Sequence, residues 1–286
     1  MTWPNSQAEL APAAPEKSGE PKILFEGDSP FHRVTVLERD GFRMLCLGQR
    51  LSSPQTRVSI ADLEASDVEY PGLMLLSLAV GRKNRRILML GLGGGFIPGL
   101  FKRHLSEHLL TVVEIDPLVA ELAETFFGFS AGGNVELVIA DGLDHISALP
   151  AESCDQIWLD AYDGSGVSPL ASIGFFDLVR SKLVEGGLLT QNLLVFPEDL
   201  LVRQLADVKA VFGHDPLLFL ARHGGNAVAM NLNAQDGLPR AKGELVEAVK
   251  AFGTDVGPYD LLSEVNKLAS RYFYDRWLLH GDESPL

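Results

Sequence analysis

Cysteine is scarce in this chain: two in 286 residues, Cys46 and Cys154, far apart and each inside an apolar run. That excludes a disulfide framework and a Cys-x-x-Cys metal or redox site, and it predicts two buried free thiols in a reducing, cytoplasmic setting. Long apolar runs are missing as well. No stretch approaches the roughly 18 apolar residues that a membrane span needs, so no membrane partner is expected. The opening MTWPNSQAELAPAAPEKSGEPK lacks a basic start followed by an apolar core, so it is not read as a secretory signal. Its Ala, Pro and Glu content predicts a loose tail over 1–21. Basic residues are outnumbered too: 24 Lys and Arg against 38 Asp and Glu leave a net charge of −14. Such a surface repels nucleic-acid phosphates and is compatible with a cationic substrate.

What is present is a chain with 46% apolar and 22% charged residues, long enough for one large α/β domain and a smaller appendage. From Ile23 to about Ser59, within a unit bounded at 22–66, the pattern is strand-like. HRVTVLERDGFRMLCL alternates about Asp40-Gly41, a pair that accepts positive φ at both turn positions and so predicts a hairpin within a small antiparallel β-domain. At 67–80 the period becomes helical, with Pro71 in the first turn. From there to residue 239 strands and helices alternate. Strands are expected at 86–90, 110–113, 135–139, 155–159 and 188–194, and helices at 97–104, 117–127, 175–183 and 198–212. The helix at 175–183 is expected to be stopped by Gly186-Gly187. A closing strand pair, 217–221 and 226–232, follows. Repeated βα units imply a Rossmann-like, mostly parallel sheet covered on both faces, and the last pair an antiparallel edge. Two amphipathic helices, 241–252 and 259–276, are expected in a C-terminal segment over 240–286.

Ligands of an open parallel sheet bind beyond the carboxyl ends of its strands. The residues at those ends are therefore the candidates. Gly91-Leu92-Gly93-Gly94-Gly95 follows the first strand, where glycine lets the backbone turn sharply and approach a ligand at the next helix's positive end. Glu114 ends the second strand, 114 − 91 = 23 residues on, where a carboxylate can accept from both hydroxyls of a ribose. Asp116, just before Pro117, is the better helix cap. Asp141-Gly142 follows the third strand and suits an adenine amino group, a helix cap, or both. Asp160 and Asp163 follow the fourth; one of them can deprotonate an amine nucleophile or both can hold a cation. Neither a His nor a third acid stands beside them in a way that points to a metal. A nicotinamide dinucleotide also fits a glycine loop with a ribose acid, but position 96 is Phe where a third, pyrophosphate-binding glycine is expected, and a compact nucleoside fits better.

These blocks, in order, resemble the spermidine synthase (polyamine aminopropyltransferase) family. ILFEGDSPFHRVTVLE resembles its N-terminal β-domain opening and DVEYPGLMLLSL the helix before the nucleoside domain. ILMLGLGGG, VVEIDP, ADGLDHI, DQIWLDAYDGSGVSP and FFDLVRSKLVEGGLLTQNLL resemble its successive later blocks. The resemblance spans about 23–194 and implies a methyltransferase-type sheet. It implies that Gly91, Gly93, Gly94, Glu114, Asp141 and Gly142 hold the nucleoside, that Asp160 is the general base, and that Asp163 and Tyr70 seat the amine; His32, standing where the family has Gln, reads as a replacement polar contact to the substrate. It further implies decarboxylated S-adenosylmethionine as donor, no metal, a small-molecule amine as partner, and a homo-oligomer, dimer or tetramer. Departures fall on the substrate side: Gly94 stands where the family has an Asp, Phe31-His32 where it has Tyr-Gln, and Leu76 where it often has His. Loss of the acid at 94 leaves open S-adenosylmethionine-dependent methyl transfer, or a nucleoside-binding homologue without turnover. His32 also reads as a half-exposed structural side chain, Trp158 reads as core, and the Arg271–Trp277 segment as a packing or oligomer surface.

Overall fold

The computed structural model describes residues 19–49, 51, 54–81, 85–161, 170–221, 225–239 and 241–268. An antiparallel sheet comes first, in the order β1 (Lys22–Asp28), β2 (Arg33–Arg39), β3 (Phe42–Leu47) and β4 (Thr56–Ser59). Asp40 (φ 54°) and Gly41 (φ 80°) both take positive φ at the β2–β3 turn, as the sequence predicts. Two short helices follow, α1 (Tyr70–Leu75) and α2 (Ser77–Val80). The helix expected over 67–80 thus begins three residues late, with Pro71 in its first turn, and breaks at Leu76.

The larger unit then alternates: β5 (Arg86–Leu90), α3 (Phe96–His104), β6 (Leu109–Glu114), α4 (Pro117–Phe127), β7 (Val135–Ile139), α5 (Gly142–Ala148), β8 (Cys154–Leu159), α6 (Ile173–Lys182), β9 (Leu183–Leu194), α7 (Glu198–Phe212), β10 (Leu217–Leu220) and β11 (Asn226–Leu232). Its seven strands lie in the order β10-β11-β9-β8-β5-β6-β7. β5 through β9 are mutually parallel, while β11 and β10 run antiparallel at one edge. The fold is therefore the mostly parallel α/β sheet with an antiparallel edge and a small preceding β-unit. The chain leaves β5 in one direction to β6 and β7 and returns to its other side at β8, so the switch in strand order falls between β5 and β8.

Two expectations are corrected. Gly186-Gly187 do not end a helix. α6 stops at Lys182 and β9 starts at Leu183, with both glycines inside the strand beside an irregularity in the β8–β9 register. Gly187 is needed there, because a Cβ would come within 2.9 Å of the Asp155 carbonyl oxygen. The helix expected from 259 starts at Leu261, as α9 (Leu261–Lys267), after a two-strand ribbon of β12 (Asp255–Val256) and β13 (Tyr259–Asp260); what was expected beyond 268 lies outside the described residues.

Side-chain parity divides the core. On β8, Trp158 faces the layer containing α1 and α3, whereas Ile157 and Leu159 face α6 and α7. Trp158 is fully buried, and its indole N–H donates to Gln156 Oε1 at 2.7 Å, so it is core as expected. α8 (Lys242–Phe252) packs on α2, and α9 packs on α1. Leu245, Val249, Leu261 and Val265 of these helices join Leu73 and Trp158 in one core. A second seam holds the N-terminal sheet: Val34, Val36, Leu45 and Val58 bury against Val119, Leu122 and Phe127 of α4. Cys46 and Cys154 are buried free thiols, and burial pushes the Cys46 thiol up to about 11, leaving it unreactive at neutral pH. Among the described residues no helix is long and apolar enough to cross a membrane.

Candidate functional site

A cavity of about 600 Å³ opens at the carboxyl ends of β5, β6 and β8, roofed by the N-terminal sheet. Its floor is the glycine loop after β5. Gly91 takes φ 100° and sits so close to β8 that a Cβ would strike the Asp160 carbonyl. The turn therefore needs glycine for conformation and for space. Gly91 and Gly93 face the cavity. Gly94 does not: its N–H donates to Thr56 Oγ1 at 2.7 Å, and a Cβ there would meet the Thr56 methyl at 2.7 Å and Phe127 at 3.1 Å. The structure thus places the third candidate glycine behind the wall, beneath β4.

Glu114 ends β6 with only 9% of its surface exposed. Its Oε2 accepts from Leu92 N–H at 2.9 Å and its Oε1 from Asp116 N–H at 3.0 Å. Burial raises its pKa, and these backbone donors hold it down. A carboxylate has about four acceptor positions, so accepting two backbone donors leaves capacity toward the cavity. Asp116 is fully buried, caps α4 through Leu118 N–H at 2.9 Å, and accepts from the Ser29 hydroxyl. Ser29 Oγ in turn accepts from His32 N–H at 2.9 Å. That linkage fixes the Pro30–His32 wall of the cavity relative to β6. His32 is half-buried on this wall, in the loop before β2 rather than within a strand, and Phe31 beside it is exposed.

Asp141 lies on the cavity and caps α5, accepting from Leu143 N–H at 2.7 Å and Asp144 N–H at 3.1 Å, so capping and ligand contact are compatible there. Gly142 follows on the same rim.

Asp160 stands between the glycine loop and α1. Its own N–H donates to the Leu90 carbonyl at 2.9 Å, locking it to β5. Its Oδ1 accepts from Asn192 Nδ2 at 2.8 Å, and the Tyr70 hydroxyl donates to the same carboxyl. Burial pushes its pKa up to about 6 against the opposing pull of these two donors. The side chain also lines the cavity. Tyr70, read from the sequence as an amine-seating residue, is thus also a direct partner of the candidate base. Asp163 lies outside the described residues.

The structure brings Gly91, Gly93, Glu114, Asp141, Gly142, Asp160, Tyr70 and His32 around one cavity. It adds Gln55, Thr56 and Asn192, which the sequence reading did not single out. The lining holds three carboxylates, Glu114, Asp141 and Asp160, and no Lys or Arg among the described residues. Among the described residues no group of three His, Cys, Asp or Glu side chains is arranged to hold a metal ion.

Residues 72–213 match the family model described as spermine/spermidine synthase domain. A polyamine aminopropyltransferase of Vibrio vulnificus (strain CMCP6) is 26% identical over 258 residues, covering 87% of this chain and 86% of the relative. A Homo sapiens eEF1A lysine and N-terminal methyltransferase is 35% identical over 151 residues, which are 49% of this chain and 21% of that protein. The chain therefore spans about a fifth of that methyltransferase. Among solved structures, a spermidine synthase in complex with the transition state analogue AdoDATO superposes with a TM-score of 0.68 at 18% identity, covering 87% of this chain and 85% of that one.

Proposed function

We propose that this chain, matched over residues 72–213 by the spermine/spermidine synthase domain model, is a spermidine-synthase-like protein that transfers an aminopropyl group from decarboxylated S-adenosylmethionine to a small amine. The observation that carries this reading is Asp160. It is a carboxyl set at the switch point of the sheet, tied to β5, Tyr70 and Asn192, and lining the cavity.

In the proposed reaction the acceptor's lone pair attacks the carbon beside the sulfonium. The new C–N bond forms as the C–S bond breaks, the bonding pair goes to sulfur, and a neutral thioether leaves. The proton shed by the nitrogen goes to Asp160. With its pKa pushed up to about 6, that carboxyl is mostly ionised at neutral pH yet basic enough to accept a proton. Glu114 and Asp141 would hold the ribose and adenine ends, and Tyr70 and His32 the acceptor side. The lining favours a donor without a carboxylate, because three acids and no cationic side chain among the described lining residues would repel one. Alignment of the two reactants then supplies most of the remaining acceleration.

Incubation with decarboxylated S-adenosylmethionine and a panel of amines should release methylthioadenosine. Absence of release with every amine would remove the reading. One observation favours a second reading, methyl transfer from S-adenosylmethionine: position 94 carries a glycine and no acid to meet a donor's cationic tail. Calorimetry with the two donors separates the readings, since tighter binding of the decarboxylated form counts against methyl transfer.

A further inference from the structure

Strand parity gathers more on Asp160 than its two direct partners. In β9, Leu188 packs in the core layer containing α1, and Asn192, four residues on, points to that same face. In β11, Val228 and Met230 pack in that layer, and Asn226 shares their parity. β9 and β11 are antiparallel, with Asn192 opposite Val228 and Leu194 opposite Asn226. Asn192 and Asn226 are therefore diagonal neighbours on one face, close enough for their side chains to meet. Asn226 Nδ2 donates to Asn192 Oδ1 at 2.9 Å, and Asn192 Nδ2 donates to Asp160 Oδ1 at 2.8 Å.

We infer that Asn192 and Asn226 form a positioning relay that fixes the carboxyl of Asp160 for proton abstraction, with Asn226 anchoring the oxygen end of the Asn192 amide whose NH2 the carboxyl meets. A side-chain amide has one donor end and one acceptor end. The ionised carboxyl of Asp160 only accepts and so takes the NH2 of Asn192, while Asn226 satisfies the oxygen at the other end. If the amide turned over, its oxygen would face the Asp160 oxygen and its NH2 the Asn226 NH2, two mismatches at once. The edge strand β11 thereby reaches a residue two strands away, on β8. Tyr70, from α1, is the other group acting on this carboxyl; Glu114, Asp141 and His32 share the cavity. The role as a base rests on the reading proposed above, whereas the hydrogen-bond relay itself does not.

Two variants test it. Asn192→Leu deletes the donor. Asn226→Leu removes the group that engages the Asn192 oxygen and adds no charge near Asp160, so the Asn192 amide loses its anchor. The primary readout is the carbon-13 titration of the Asp160 carboxyl in the full chain, assigned by the signal lost in Asp160→Asn. Both variants should raise its midpoint by about one pH unit, the size expected when a hydrogen bond to a charged carboxylate is lost. Where turnover is measurable, the acidic limb of the kcat/KM profile should move with it. An unchanged Asp160 midpoint in either folded variant overturns the relay. If Asn192→Leu does not fold, Asn226→Leu alone decides. Lack of aminopropyl transfer by the unaltered protein would remove the proposed reaction but leave the titration readable, so the two failures are distinguishable.

Discussion

The Thr56 hydroxyl accepts the Gly94 N–H at 2.7 Å, and the Thr56 methyl lies 2.7 Å from the point where a side chain at 94 would begin. The N-terminal sheet and the nucleoside loop are fitted to each other at this contact, and the fit explains why an acid at 94 is excluded.

Gly94→Asp should therefore destabilise the protein by roughly 1–3 kcal/mol, the range for overpacking a filled site. Thr56→Gly in the same chain should recover part of that loss. Urea unfolding of the two single variants and the double variant measures the coupling, and additive effects would contradict the steric account.

Asp160→Asn should lower kcat by about 10²–10⁴-fold, the usual contribution of a general base. It should also stabilise the fold at high pH. The folded-state pKa of about 6 lies above the ordinary aspartate value of 3.8, so ionising this group is harder in the native state than in the unfolded chain. That penalty is fully present above pH 6, shrinks as pH falls toward 4, and is gone once both states are protonated. Thermal melts should show the variant above the parent at pH 8, by a few kcal/mol at most, with the gap closing below pH 4.

Tyr70→Phe removes one donor to Asp160 and leaves the ring in place. The acidic limb of kcat/KM should shift upward by up to about one pH unit, with little change in melting temperature. A pH profile over 5–9 checks this.

Glu114→Gln replaces one acceptor oxygen with an NH2 group facing a backbone N–H, either that of Leu92 or that of Asp116. Folding stability should fall in urea unfolding, since an unpaired buried donor costs on the order of 1–3 kcal/mol.

Much of this was legible in the residue string, for physical reasons that vary from element to element. α4 occupies 117–127 as expected because Asp116 caps it, Pro117 opens it and Gly128 closes it in the left-handed region. α7 was equally clear from its period and from Gly213. The acids at 114, 141 and 160 could be placed because each ends an apolar strand run. α5 was missed as an element: it is short and solvent-facing, and Ile146 is its only buried residue, too little for a periodic signal. The break at Leu76 was invisible because the apolar spacing continues across it. Asn192 and Asn226 escaped notice because their meeting depends on strand order and register, which adjacency along the chain does not encode. Thr56 escaped for the same reason, lying 38 residues from the amide it accepts.

α4 has two tenants. Its first turn, through Asp116, anchors the Ser29 loop, and its apolar flank seats the four-stranded sheet. A chain shortened to begin at residue 67 would uncover Val119, Leu122 and Phe127 to water and unroof the cavity in the same stroke. The small sheet is accordingly no detachable ornament: solubility of the remainder and the shape of the pocket stand or fall with it.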